Sequence, residues 1–211
     1  MCGICGEIRF DGRSADVAAV SRMTGAMVPR GPDSDGVMAH GPVALGHRRL
    51  SIIDLSAHGA QPMVDSDLGL SLVFNGCIYN YRDLRKDLQA SGYRFFSTSD
   101  SEVVIKAFHN WGPRCVDRFK GMFAFAIADR DSGVVTLARD RLGIKPLYLA
   151  ALPGRLAFRV HGRGPARRRR GRHFPLSASS HESTATTLNH YAAHSRQTWT
   201  TSLPDSTPRP E

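Results

Sequence analysis

The chain has 211 residues, 41% hydrophobic and 22% charged, enough for one domain with a sizeable core and with no apolar run long enough to cross a membrane as a helix. Its four cysteines are scattered, which excludes the disulfide framework of a small secreted protein and suits a reducing cytoplasm. The formal charge of +9 is uneven: residues 159–211 hold nine arginines, no lysine and three acids, so the remainder is nearly balanced and a nucleic-acid partner is not expected for it.

Residues Ile4–Phe10 read as a strand ending at the turn Asp11-Gly12. Asp16–Met27 reads as a helix with Val17, Val20, Met23 and Met27 on one face, capped by Ser14 or Asp16. Two prolines and a glycine make Pro29–Asp33 a loop. Val37–His40 and Val43–Leu50 read as paired strands, with Ser51–Leu55 continuing in extended form. Leu70–Phe74 is a short apolar strand running into Asn75-Gly76. Tyr81–Ala90 reads as a helix capped by Asn80, Arg94–Phe96 as a short strand, and Asp100–Trp111 as the clearest helix, with two acids in its first turn. Met122–Ala128 with Val134–Ala138, and Leu147–Leu152 with Arg155–Phe158, read as two hairpins. Strands linked by hairpins, with helices between them, predict an α+β layered domain.

The first six residues, Met1-Cys2-Gly3-Ile4-Cys5-Gly6, carry the sharpest chemical signal. Once the initiator methionine is removed, a thiol and an α-amine share one residue, and an α-amine is partly free base at neutral pH. Nucleophile and proton acceptor then coincide, the arrangement of an N-terminal nucleophile. Chance placement of a buried cysteine, and a Cys2/Cys5 metal or redox pair, are the competing readings. A structural zinc site needs about four ligands, and no second CxxC is present, so no metal is expected. Asn75-Gly76 offers a side-chain amide and an unhindered backbone N–H that could hold an oxyanion, or it is an ordinary Asn-Gly turn. Arg49, beside Arg48, could grip a carboxylate; Asp100 could cap its helix or receive an ammonium.

These residues fall in an ordered series: CGICGEI, RGPDSDG, GHRRLSIIDL, QPM, VFNGCIYNY, SDSEV, GMFAFAI and ARDRLGIKPLY. The series resembles the class II glutamine amidotransferase domain that opens the glutamine-dependent asparagine synthetases, and most of all the branch that amidates N-acetylglutaminylglutamine. The resemblance covers residues 2–158. It implies a four-layer αββα sandwich of the N-terminal nucleophile hydrolase type. It implies Cys2 as nucleophile and Asn75 and Gly76 as the oxyanion hole. For glutamine binding it implies Arg49 on the α-carboxylate, Leu50, Ser51, Ile52 and Ile53 along the same wall, and Asp100 on the α-ammonium. Cys77 stands where asparagine synthetases usually carry a glutamate, a second anion for the ammonium; the dipeptide-amidating branch shows the same departure.

The implied reaction is hydrolysis of the glutamine side-chain amide to glutamate and ammonia, without cofactor or metal. In the family, ATP and Mg2+ serve a following synthetase domain, and its SGGxDS pyrophosphate loop is missing from this sequence. After Phe158 the pattern gives way to an Arg-rich, then Ser/Thr- and Pro-rich stretch, expected to be disordered. The abruptness of the change suggests a frameshift or truncation there. Glutamine is thus the expected partner, with no membrane, in the cytoplasm, and a homodimer is left open. An inactive remnant of such a synthetase, and a nucleic-acid binder acting through residues 159–211, are the alternatives.

Overall fold

In a computed structural model, which describes residues 1–160, 188–191 and 197–201, the elements follow in chain order. They are β1 Gly3–Arg9, α1 Val17–Gly25, β2 Ser34–His40, β3 Val43–Arg49, β4 Met63–Asp65, β5 Leu70–Ile78, α2 Tyr81–Ala90, α3 Asp100–Trp111, β6 Gly121–Asp129, β7 Val135–Arg139, β8 Tyr148–Leu152, β9 Arg155–Arg159, β10 Leu188–Tyr191 and β11 Gln197–Thr201. Two antiparallel sheets result, one ordered β2-β3-β1-β9-β8 and the other β10-β11-β7-β6-β5-β4.

Side-chain size along the strands decides how these sheets stack. On β6 the alternate residues Ala124 and Ala126 join Val73 of β5 in the core shared with Ile4, Ile8 and Leu45 of the first sheet. The intervening Phe123, Phe125 and Ile127, with Leu72 and Phe74, face α2 and α3. Small residues inside let the sheets approach; large ones outside fill the wider sheet–helix gap, where each fully buried aromatic or aliphatic side chain contributes about 1.5–3 kcal/mol. On the other side α1 packs against the first sheet through Val20 and Thr24. A Cβ on Gly46 would strike the Thr24 hydroxyl, which is why glycine stands there. The result is the expected αββα order.

Several elements depart from the sequence reading. The Arg94–Phe96 strand is absent, because the Phe96 and Ser97 amides donate to the Glu102 carboxylate at 2.9 and 2.7 Å, leaving no ladder to join. Ser51–Leu55 is not extended but bends at Ile52 and Ile53. Asn80 precedes α2 without capping it; its side chain instead bonds Arg118 O and Lys120 N at 3.0 and 2.9 Å. Ser99, not Asp100, caps α3, and Asp16 caps α1 through Ala19 N at 2.8 Å. Strand β4 was not foreseen, and β5 runs straight through Asn75-Gly76 without a turn.

The first-sheet core closes at Val160, buried and donating to Ile4 O at 3.0 Å, two residues past the expected boundary. Strands β10 and β11 pair with each other, and β11 extends the second sheet along β7, where the sequence expectation had no element. The expectation of disorder for the rest of 161–211 lies outside the described residues. No helix among the described residues is long and apolar enough to cross a membrane.

Candidate active site

The open end of the sandwich, where β1 starts and β3 and β5 pass, encloses a cavity of about 180 Å³. Cys2, Arg49, Leu50, Ser51, Ile52, Ile53, Asn75, Gly76, Cys77 and Asp100 all line it, so residues spread over a hundred positions of sequence meet in one place. They arrive from separate elements: Cys2 from the approach to β1, Arg49 from the end of β3, Asn75 to Cys77 from β5, and Asp100 from the first turn of α3.

The Cys2 thiol lies against the Leu50 backbone, accepting from its N–H at 3.4 Å and donating to its carbonyl at 3.6 Å. Met1 still precedes it. Its α-amine donates to Arg30 O at 3.1 Å, and its Sδ, part of the cavity wall, receives the Lys145 ammonium at 2.8 Å.

Opposite, Asn75 is 1% exposed, yet its Nδ2 has no hydrogen-bond partner. A buried amide donor without an acceptor is costly and calls for an explanation. Next to it a second donor is open. Backbone N–H groups of alternate strand residues point to the same edge. On β5 the Phe74 N–H goes to Gln61 Oε1 at 2.6 Å and the Ile78 N–H to Asp100 Oδ2 at 3.0 Å, both away from β6. Gly76 lies between them, so its N–H points to that same edge, between two that are taken. A side chain at this position would collide with Met122 O across the Gly76–Phe123 pair. Glycine here serves a close strand approach rather than a turn.

Two charged walls flank these donors. Arg49 is anchored from behind, Nη1 to Ser56 O at 2.9 Å and Nη2 to Asp54 O. Burial pushes the Asp100 carboxyl up to about 6, against the pull of the Ile78, Asp100 and Ser101 backbone N–H groups. Burial, together with the Asp100 charge, also raises the Cys77 thiol, with Lys145 opposing, so Cys77 stands beside Asp100 as a neutral group. Beneath Arg49, His47 is fully buried with Nε2 3.3 Å from Phe74 O. Burial lowers it to about 4, so at neutral pH it is an uncharged ring whose Nε2 carries the proton.

The sequence reading missed Asp54, Gln61 and Lys145, all of which line the cavity. Each lies in a quoted motif, GHRRLSIIDL, QPM or ARDRLGIKPLY, but nothing local marks it as part of the site. Gln61 ties the Phe74 amide to the Ser101 hydroxyl, at 2.6 and 3.0 Å, which locks β5 against the start of α3. Lys145 is held by Asp140, whose carboxylate accepts the Lys145 N–H at 2.9 Å. Among the described residues no group of His, Cys, Asp and Glu could hold a metal ion.

Comparison with known proteins gives one answer. The family described as "Glutamine amidotransferase domain" matches residues 1–162. "Asparagine synthetase [glutamine-hydrolyzing] 3" of Bacillus subtilis is 40% identical over 151 residues, 70% of this chain and 24% of that protein. "Putative asparagine synthetase [glutamine-hydrolyzing] 2" of Methanocaldococcus jannaschii is 38% identical over 166 residues, 70% of this chain and 32% of that protein. The chain therefore spans about a quarter to a third of the length of these relatives. Among solved structures, the glutamine phosphoribosylpyrophosphate amidotransferase of B. subtilis, complexed with ADP and GMP, shares the fold with a TM-score of 0.64 at 20% identity, covering 75% of this chain and 42% of that one.

Proposed function

The chain belongs to the glutamine amidotransferase domain family, and from that premise we propose that its cavity hydrolyses free glutamine through Cys2. The observation that carries this reading is the pairing of two open donors, Asn75 Nδ2 and the Gly76 N–H, in the same cavity as the Cys2 thiol. A donor left unpaired in the resting protein is what a charge that exists only in the transition state requires.

The steps follow from the walls. Removal of Met1 frees the α-amine of Cys2 and vacates the volume its side chain fills. Arg49 takes the α-carboxylate of glutamine and Asp100 its α-ammonium, with Leu50 to Ile53 along the substrate backbone. The α-amine accepts the thiol proton, and sulfur attacks the γ-amide carbon. Asn75 and Gly76 hold the tetrahedral oxyanion, each donor supplying about 3–4 kcal/mol. The C–N bond breaks as the α-ammonium returns its proton to the leaving nitrogen, giving ammonia and a γ-glutamyl thioester. Water, deprotonated by the same amine, then releases glutamate. All of this uses side chains, main chain and water.

Residues 2–158 are proposed as the catalytic unit, with Val160 completing its core. In longer relatives of this kind the ammonia would pass to an ATP- and Mg2+-dependent synthetase; no residue of this cavity is assigned to either group. Cys77 supports placement with the N-acetylglutaminylglutamine-amidating branch. A cytoplasmic setting suits a mechanism that needs a reduced thiol, and all four cysteines are free.

The test is stoichiometric release of glutamate and ammonia from glutamine by protein whose N-terminus is shown by mass spectrometry to be Cys2. Cys2→Ala should abolish it. Equal activity with Met1 retained, or none after its removal, would overturn the reading.

A further inference from the structure

The two groups proposed to grip glutamine sit on different elements, and one residue touches the supports of both. Asp54 lies in the loop after β3. Its backbone carbonyl accepts from Arg49 Nη2. Its carboxylate accepts from Ser56 N and Oγ at 2.8 and 2.6 Å, and from Thr98 N and Oγ1 at 2.9 and 3.0 Å. Thr98 leads directly into the Ser99 cap and Asp100 at the start of α3. Asp54 is 7% exposed. Burial opposes its charge, but the four donors outweigh it and hold the carboxyl well below the usual carboxylate range. Those donors leave the carboxylate no direct role toward substrate.

We propose that Asp54 is a positioning residue that fixes the spacing between Arg49 and Asp100, and thereby makes the site demand a free α-amino acid rather than any primary amide. This rests on the reading of the cavity as a glutamine pocket. The α-carboxylate and α-ammonium leave a single carbon, so they are gripped together only if their two partners are held at one separation. Arg49 itself ends β3, but the loop after it, whose Asp54 and Ser56 carbonyls hold its guanidinium, has one turn of 3-10 helix, Ala57–Gly59, and otherwise no regular structure. A loop of that kind does not set such a spacing on its own. The Asp54–Thr98 link pins it to α3, which is fixed in turn by Gln61–Ser101 and by Asp100–Ile78. Pre-set spacing of this sort lowers the ordering cost of binding.

The experiment compares wild type, Asp54→Ala and Thr98→Val, each with a processed N-terminus. The substrates are glutamine, glutaramate (no α-amine) and γ-aminobutyramide (no α-carboxylate). For Asp54→Ala the glutamine KM should rise about 10- to 100-fold with kcat within about threefold, and the preference for glutamine over either analogue should fall at least about fivefold. Thr98→Val removes only the hydroxyl bond and should raise the glutamine KM about 3- to 10-fold, which keeps the proposal testable if the alanine variant does not fold. Asp54→Asn should fall between wild type and alanine. A glutamine KM within about twofold of wild type in folded Asp54→Ala and Thr98→Val overturns the proposal. So does a kcat loss without a KM change, or an equal loss for all three substrates. A wild type that leaves glutamine intact overturns the glutaminase reading itself, and the Asp54 proposal with it; an active wild type with insensitive variants removes Asp54 alone.

Discussion

Asp100→Asn separates stability from binding, because burial makes the same carboxylate harmful to the empty protein and useful to the occupied one. In the folded chain the carboxyl is raised from 3.8 to about 6. The folded state therefore holds its proton over a window in which the unfolded state has lost it. Stability falls as pH rises from about 4 to about 6 and stays reduced above, by roughly 3 kcal/mol at most. The asparagine variant keeps an oxygen for the Ile78 N–H and has no charge to bury. It should melt several degrees higher than wild type at pH 7.5 and nearly level with it at pH 4. Binding responds in the opposite sense. On the proposed assignment glutamine needs the carboxylate, so below about pH 6 each bound molecule must displace a proton. Calorimetry on Cys2→Ala, which binds without turning over, should show a Kd about tenfold weaker at pH 5 than at pH 7. With Asp100→Asn added, binding should be weak and flat across that range. Binding by Cys2→Ala that is independent of pH between 5 and 7, or an Asp100→Asn protein that binds as well as its parent, would refute the assignment of Asp100 to the ammonium.

Asn75→Ala should lower kcat about 10²- to 10³-fold with little change in KM; its melting temperature should not fall, because the deleted Nδ2 has no partner to lose. Cys77→Glu should tighten glutamine binding several-fold at pH 8 and move the Asp100 midpoint upward, since a second carboxylate disfavours ionisation of the first; titration calorimetry over pH reads both. Lys106 is buried between Asp65 at 3.0 Å and Glu102 at 3.4 Å. Lys106→Met leaves two buried carboxylates facing each other, and should cost about 3–5 kcal/mol in urea unfolding while the glutamine KM of the folded protein is unchanged.

Local chemistry made much of the chain legible before folding. The helix α3 could be read because its apolar spacing, its acidic first turn and the glycine after it all lie within a few residues of one another. The hairpin of Met122–Ala128 and Val134–Ala138 could likewise be read from two apolar runs about a polar, Gly-containing turn, and the cysteine after the initiator methionine is a candidate nucleophile by its position alone. The errors arose where a contact with a different element or loop decides. Arg94–Phe96 has the composition of a strand, but its end is bound to Glu102. Asn80 has the residue type of a cap, but the loop at Arg118–Lys120 holds its side chain. Asp54 looks like any loop acid until Thr98 is folded against it.

The sequence by itself therefore determined the helices and most of the strands and pointed to a candidate nucleophile, because periodicity and covalent neighbourhood are short-range. Only the tertiary structure decided which hydrogen-bond donors remain open. Phe74 and Ile78 lose theirs to Gln61 of the loop before β4 and to Asp100 of α3, and Gly76 between them keeps its own. Whether a backbone N–H is free depends on what long-range contacts bring to that edge of the strand, which no pattern along the chain records.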